Sequence, residues 1–375
     1  RVGARHAPAR TPGVLMARYG PQFGPDFTFL GVPECDLDDE SSYADADVVI
    51  LGAPFDGGTS YRAGTRFGPQ AIRMTDYLPH DGSRPSLALR TDGLQDLKVY
   101  DAGDVEMYSG DIEVALPALE AAVERVAQSG AIPVSLGGDH SIAYPDAKGC
   151  ANVIGAGRVS MIHFDAHADT GDIEFGSLWG HGQPMRRLIE SGAMRGDRFL
   201  QIGLRGYWPP PETLDWMASQ NMRSYEMTEI VHRGLRECLT EAFTIATDDC
   251  DGVFLSVDID VCDPGHAPGT GTPEPGGLSA RELLDAVRRI CLELPVVGMD
   301  VVEVSPPYDH ADITAALANR VVLEALCAIA RKRQDLRDGT QWDPLLPLLS
   351  ERAAPIPEGE IQHHHHTHLG HDQQK

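Results

Sequence analysis

Short apolar runs recur along this chain, and most of them end in glycine, aspartate or histidine. Val48–Leu51, Ile132–Leu136, Val159–Phe164, Phe199–Leu204, Val253–Val257 and Val296–Val301 are continuous rather than alternating, the pattern of strands covered on both faces. Between them lie segments of helical period. Ile112, Leu116, Leu119, Val123 and Val126 mark one, which Pro117 is expected to bend or delay. Ser279-Ala280-Arg281-Glu282 reads as a capping box opening a helix whose apolar face carries Leu283, Leu284, Val287 and Ile290. Pro69 suits the first turn of a helix running through Ile72, because proline presets φ and has no amide to leave unpaired there. Strands alternating with amphipathic helices imply an α/β fold on a mainly parallel sheet.

The pattern is uniform from about residue 46 to residue 332, which defines a single domain. Residues 1–45, rich in Pro, Gly and Asp, read as an N-terminal arm with little structure of its own. Residues 333–375 read as a tail. Its run His363–His366, with His368 and His371, reads as a purification tag or tail rather than a metal site.

Three of the apolar runs end in chemistry. Ile132–Leu136 leads into Gly137-Gly138-Asp139-His140-Ser141, Val159–Phe164 into Asp165-Ala166-His167-Ala168-Asp169, and Val253–Val257 into Asp258-Ile259-Asp260. In open parallel sheets ligands bind beyond the carboxyl ends of strands, and all three motifs fall there. Alternation along an extended segment sends Asp165, His167 and Asp169 to one side, and relates Asp258 to Asp260 in the same way. His140, Asp165, His167, Asp169, Asp258 and Asp260 offer only oxygen and imidazole donors, which suits manganese, nickel, iron or cobalt as well as zinc. Six such ligands fit two divalent ions better than one, and two ions acidify bound water enough to supply hydroxide near neutral pH. A binuclear metallohydrolase follows. His80, His163 and His232 are read as packing or surface residues, with His163 facing away from the Asp165 and His167 set.

Charge narrows the partners. With 31 Lys and Arg against 56 Asp and Glu, the formal net charge of −25 argues against nucleic acid or an anionic membrane and favours a cationic small molecule. The seven cysteines are scattered and include no Cys-x-x-Cys pair, as in a reducing cytoplasm. No apolar stretch is read as long enough for a membrane span, and no signal-peptide pattern opens the chain, so a cytoplasmic enzyme is expected.

Together these residues resemble the ureohydrolases, the family of arginase, agmatinase and guanidinobutyrase. The resemblance covers about Asp47 to Arg331. It rests on the three motifs above, on Asp263-Pro264, on Gly269-Thr270-Gly271-Thr272-Pro273 and on Asp300-Val301-Val302-Glu303-Val304. It implies a three-layer α/β/α sandwich. One metal would be held by His140, Asp165, Asp169 and Asp258, the second by His167, Asp165, Asp258 and Asp260, with Asp165 and Asp258 bridging. The ions would be two Mn(2+), with Ni(2+) used by some members that act on other guanidino compounds. Glu303 would hold the substrate guanidinium, and His181, in Gly180-His181-Gly182-Gln183-Pro184, would transfer protons. A homotrimer or homohexamer is implied, with the arm as a candidate for wrapping a neighbour.

Substrate choice is expected in the loop between Asp169 and His181, which carries Asp172 and Glu174 and no basic residue. Two acids would oppose a carboxylate-bearing substrate and favour the free amine of agmatine. Val304–Asp309 and Phe67–Arg73 look agmatinase-like, whereas His181–Pro184 looks arginase-like. Agmatine is therefore the expected substrate, with guanidinobutyrate or another small guanidino compound as the alternative. A deacetylase-type amidohydrolase would not keep His140, Asp260 and Glu303 together. A catalytically silent partner subunit would have lost a ligand, His181 or Glu303, and all are present.

Overall fold

The structure is a computed structural model that describes residues 28–75 and 85–343. The six apolar runs form strands, joined by two edge strands the pattern did not predict, Val99–Asp104 and Arg223–Tyr225; among the described residues the strands are β1 (Val48–Ala53), β2 (Val99–Asp104), β3 (Ile132–Gly137), β4 (Val159–Phe164), β5 (Phe199–Ile202), β6 (Arg223–Tyr225), β7 (Gly252–Asp258) and β8 (Val296–Val302). They make one sheet in the order β2-β1-β3-β8-β7-β4-β5-β6, with every pairing parallel. After β3 the chain skips two positions to form β4, and the vacant positions are filled last by β7 and β8. This crossover sets the carboxyl ends of β3, β8, β7 and β4 side by side in the centre of the sheet.

Strand alternation divides the core into two layers. Val48, Ile50, Val134, Leu136, Ile162 and Phe164 pack with Leu283, Val287, Val321 and Leu326 from helices Ala280–Glu293 and Ile313–Asp338. Val49, Leu51, Met161, Phe199 and Phe254 face the other way, onto helices Ile112–Gln128, Ala143–Ile154 and Pro184–Glu190. The result is the expected α/β/α sandwich. Each such side chain, buried from water, contributes about 1.5–3 kcal/mol, so the central strands form a stiff base for whatever their ends carry.

Local signals mostly act as read. Ser279 and Glu282 form both halves of the capping box, and Pro69 lies in the first turn of helix Gly68–Met74. Pro117 does not delay its helix, which begins at Ile112 because the Asp111 side chain accepts from the Glu113 amide.

Four expectations need revision. Phe29 and Leu30, within the segment read as an unstructured arm, are buried, and the Phe29 amide donates to the buried Asp101 carboxylate at 2.7 Å. The described part of that segment, residues 28–45, is thus seated on the domain. The last helix runs to Asp338, past the boundary read at 332, because Leu323, Leu326 and Ile329 keep it packed while Arg331 pairs with Asp335. The same helix, Ile313–Asp338, is long and apolar enough to cross a membrane by composition, contrary to the expectation that no stretch approaches that length; most of its apolar window is buried inside the domain. His232 is exposed, as read, but His163 is not where it was expected, as described below. His80 and the histidines from His363 onward lie outside the described residues.

Candidate metal centre and active site

The three motifs converge. His140 Nδ1 lies 3.0 Å from Asp165 Oδ2, 3.0 Å from Asp169 Oδ2 and 3.1 Å from Asp258 Oδ2. His167 Nδ1 lies 3.1 Å from Asp260 Oδ2 and 3.4 Å from Asp165 Oδ1. The two oxygens of Asp165 thus face the two imidazoles, as a carboxylate shared between two centres must. Asp258 Oδ2 faces His140, while its Oδ1 accepts from the Asp260 amide at 2.8 Å and caps the turn Ile259–Val261.

Local geometry explains the aim of each group. Asp139 caps the turn His140–Ile142 by accepting from the Ser141 amide, which directs His140 inward. Gly138 admits no side chain, since a Cβ there would meet the Ala53 carbonyl oxygen at 2.4 Å. Asp169 holds φ at +51° and Glu303 at +63°, left-handed values that cost a non-glycine residue about 1–3 kcal/mol and cluster at functional sites.

His163 requires a correction. It shares strand parity with Asp165 and His167, so it points to their side, and its Nε2 lies 2.8 Å from Asp165 Oδ2. It remains unsuited to ligation because its other nitrogen is also engaged: Nδ1 meets Gln201 Nε2 at 3.2 Å. Gln201 donates there, so His163 carries its hydrogen on Nε2 and steadies Asp165.

The donor set fits two divalent ions. His140 Nδ1 is fully buried and has no hydrogen-bond partner despite three carboxylate oxygens around it, the arrangement of a bare lone pair sharing a centre with anions. Burial pushes Asp169 up to about 7, and Asp165 adds to the rise. Asp258 is held well above the carboxylate range by burial and then by Asp260 and Asp165. Acids crowded this way call for cations.

Glu303, just beyond β8, accepts at Oε1 from the His140 amide (2.9 Å) and lies 2.8 Å from His181 Nδ1. Its Oε2 is buried without a partner. His181 Nε2 receives the Ser60 amide at 3.0 Å and lies 2.6 Å from the Ser60 hydroxyl. Since the amide can only donate, the His181 hydrogen belongs on Nδ1, toward Glu303. Burial alone would lower the His181 imidazole, but Glu303, Asp139 and Asp169 outweigh it and push it up to about 9.

A cavity of about 450 Å³ opens over the site, lined by Ser60, His167, Asp169, Asp258, Thr272, His181 and Gly182, with Ile173, Glu174, Phe175 and Trp208 around its mouth. Among the described residues no Lys or Arg lines it. Of the two loop acids, Glu174 is half-buried in the wall with Oε1 unpartnered, and burial raises its carboxyl. Asp172 does not line the cavity; it pairs with Arg187 at 2.8 Å. The sequence reading missed Ser60, Asp139 and Trp208. The Asp139 signal was available, because an acid beside a ligand in a Gly-Gly turn has a capping role to fill.

Residues 46–328 match the model of the arginase family. Proclavaminate amidinohydrolase of Streptomyces clavuligerus is 39% identical over 76% of this chain and 88% of its own. Its solved structure superposes with a TM-score of 0.76, covering 84% of this chain and all of that one at 35% identity. Guanidinobutyrase of Pseudomonas aeruginosa is 36% identical over 82% of this chain and 94% of its own. An agmatinase of Edwardsiella ictaluri is 38% identical over 82% and 95%.

Proposed function

The chain belongs to the arginase family, and we propose that it hydrolyses an amine-terminated guanidino compound, agmatine foremost, to urea and the free amine. The family is dependent on a binuclear metal centre, usually manganese. We assign one ion to His140, Asp165, Asp169 and Asp258 and the other to His167, Asp165, Asp258 and Asp260. When bound, such ions supply an acidified water and positive charge at the reacting carbon.

The remaining work falls to side chains. Glu303 offers its unpartnered Oε2 to a guanidinium N–H, a charge-assisted bond worth roughly twice a neutral one. His181, held between Ser60 and Glu303, keeps one hydrogen at Nδ1, and the acids around it raise its basicity so that Nε2 can take up a second proton and pass it to the departing amine. Seven free thiols fit a reducing compartment, so we infer a cytoplasmic enzyme, testable by fractionation; the homotrimer or homohexamer is inferred from the family alone and is testable by sedimentation.

Glu174 carries the substrate assignment. It is the acid of the cavity mouth with a free, buried oxygen, and among the described residues no Lys or Arg lines the cavity to meet a substrate carboxylate. An ammonium at the far end of the substrate satisfies it. The likeness to guanidinobutyrase supports a second reading, a guanidino acid. Urea release from agmatine and from guanidinobutyrate, each with manganese and with nickel, separates them. Equal or faster turnover of guanidinobutyrate refutes the agmatine assignment and leaves the metal chemistry standing.

A further inference from the structure

Arg205 lies just past β5, on the loop that carries Trp208 to the cavity mouth. Among the described residues its guanidinium donates only to backbone carbonyls. Nη2 reaches those of Asp260 at 2.7 Å, Glu274 at 2.6 Å and Cys262 at 3.2 Å. Nη1 reaches Val261 at 3.1 Å and Gly203 at 3.2 Å, and Nε reaches Glu274 and Pro275, both at 3.1 Å. Three separate segments thus turn their carbonyls onto one side chain. Crowded carbonyl oxygens need donors, and the planar fork of an arginine serves several directions at once. The fold leaves room for it: a Cβ on Gly277 would meet Arg205 Nη2 at 2.5 Å.

The main chain of the same residue holds a second motif. The Arg205 amide donates to the carbonyl of Ala166, the residue between Asp165 and His167, at 3.0 Å. The Ala166 amide in turn donates to Asp260 Oδ1 at 3.1 Å, and Asp260 Oδ2 faces His167 Nδ1. Gly203 closes the contact: at φ +110°, a Cβ there would meet Val261 Cγ2 at 2.5 Å and the Asp165 carbonyl oxygen at 3.0 Å. Arg205 therefore grips the turn of Asp260 with its side chain and the turn of His167 with its backbone.

The His140 side is supported by other groups. The Asp139 amide donates to the Phe55 carbonyl at 2.8 Å, and the Glu303 amide to the Gly138 carbonyl at 2.9 Å. The His140 amide donates to Glu303 Oε1. These partners follow β1, β3 and β8, and none of them bonds to Arg205.

We propose that Arg205 is the positioning residue of the ion site assigned to His167 and Asp260, and that the site built on His140 does not depend on it. A changed side chain keeps the amide bond to Ala166 but frees the Asp260–Cys262 turn from the Glu274–Pro275 loop. Asp260 then drifts relative to His167. Thr272, which lines the cavity and lies 3.4 Å from Asp260 Oδ2, precedes that same loop. The inference rests on the two-ion reading of the site and not on the choice of substrate.

The test is Mn2+ binding to full-length protein, followed by the electron paramagnetic resonance of free Mn2+ and by ions retained per chain. Arg205→Ala strips the donor from every carbonyl and can cost the fold, so Arg205→Lys carries the test: it keeps the charge and offers one nitrogen in place of the fork. It should weaken one of the two ions about tenfold or more and leave the other within about twofold. Two backgrounds locate the weakened ion. With His140→Ala, which leaves the His167 site, Arg205→Lys should again cost about tenfold. With His167→Ala, which leaves the His140 site, it should cost no more than about twofold. Equal weakening of both ions, or an equal cost in both backgrounds, would overturn the inference, because a general loosening of the fold acts that way. So would parental affinity for both ions in Arg205→Lys, or a His140→Ala protein that takes up no ion. A parent protein that takes up no Mn2+ would refute the metal site itself, and the role of Arg205 with it.

Discussion

The floor of the cavity is built from strand ends and its mouth from loops, and the two are held in opposite ways. On the floor, Asp165, Asp258 and Asp260 are almost completely buried, and each is fixed by a turn amide, a neighbouring imidazole or both. At the mouth, Phe175 is 92% exposed at φ +51°, Ile173 is 63% exposed, and Trp208 is half-open to solvent. Chemistry needs donors held to a few tenths of an ångström, which a sheet buried on both faces provides. Selection among substrates needs only the right surface within reach, which loops provide at little cost to the fold. Relatives named for different guanidino substrates are what such a division allows.

The sharpest way to break the comparison is to damage the floor. Asp258→Asn removes charge from both proposed ion sites, so kcat should fall at least about 10³-fold and metal analysis should show the loss of at least one ion per chain. Full activity with a single ion would sink the two-ion reading. Next in size is His181→Ala, expected to lower kcat about 10²-fold, toward the low end for a positioned proton-transfer group. Ser60→Ala removes only the hydroxyl from His181 Nε2 and keeps the amide, so a drop of no more than about tenfold should follow. A Ser60→Ala loss as large as that of His181→Ala would mean that the hydroxyl itself handles the proton.

What could be read from sequence follows the same division. The metal ligands were legible because apolar runs locate strand ends, and Asp and His at alternate positions locate a shared side. His163 was legible too, since two-residue spacing from Asp165 puts both on one side of the strand, opposite to the face expected for it. A buried polar row was not legible: Ser135, Asp300, Ser256, His163, Gln201 and Ser224 pair in register across six neighbouring strands. Its members belong to strands whose spatial order differs from their chain order, and no local pattern sets Ser135 beside Asp300 or Asp300 beside Ser256. Asp172 failed for a related reason. The loop itself has no basic residue, but Arg187 on the following helix turns back to take that carboxylate.

The finest test of the comparison sets the two loop acids against each other. Glu174 has a free buried oxygen in the cavity wall, and Asp172 is spent on Arg187 outside it. Glu174→Gln should raise KM for agmatine about tenfold and leave kcat nearly unchanged, because a contact to the remote ammonium is made equally in the ground and transition states. Guanidinobutyrate should gain relative to agmatine in the same variant. Burial raises the Glu174 carboxyl, so its charge is lost at a higher pH than that of an ordinary glutamate. The agmatine KM of the parent should therefore climb as pH falls toward that raised range, and the climb should be absent in Glu174→Gln. Asp172→Asn should shift KM by no more than about twofold, since it breaks an exposed ion pair and touches no substrate. If Asp172→Asn instead matches Glu174→Gln, the loop rearranges around its substrate, and the mouth must be read as a moving part rather than a fixed wall.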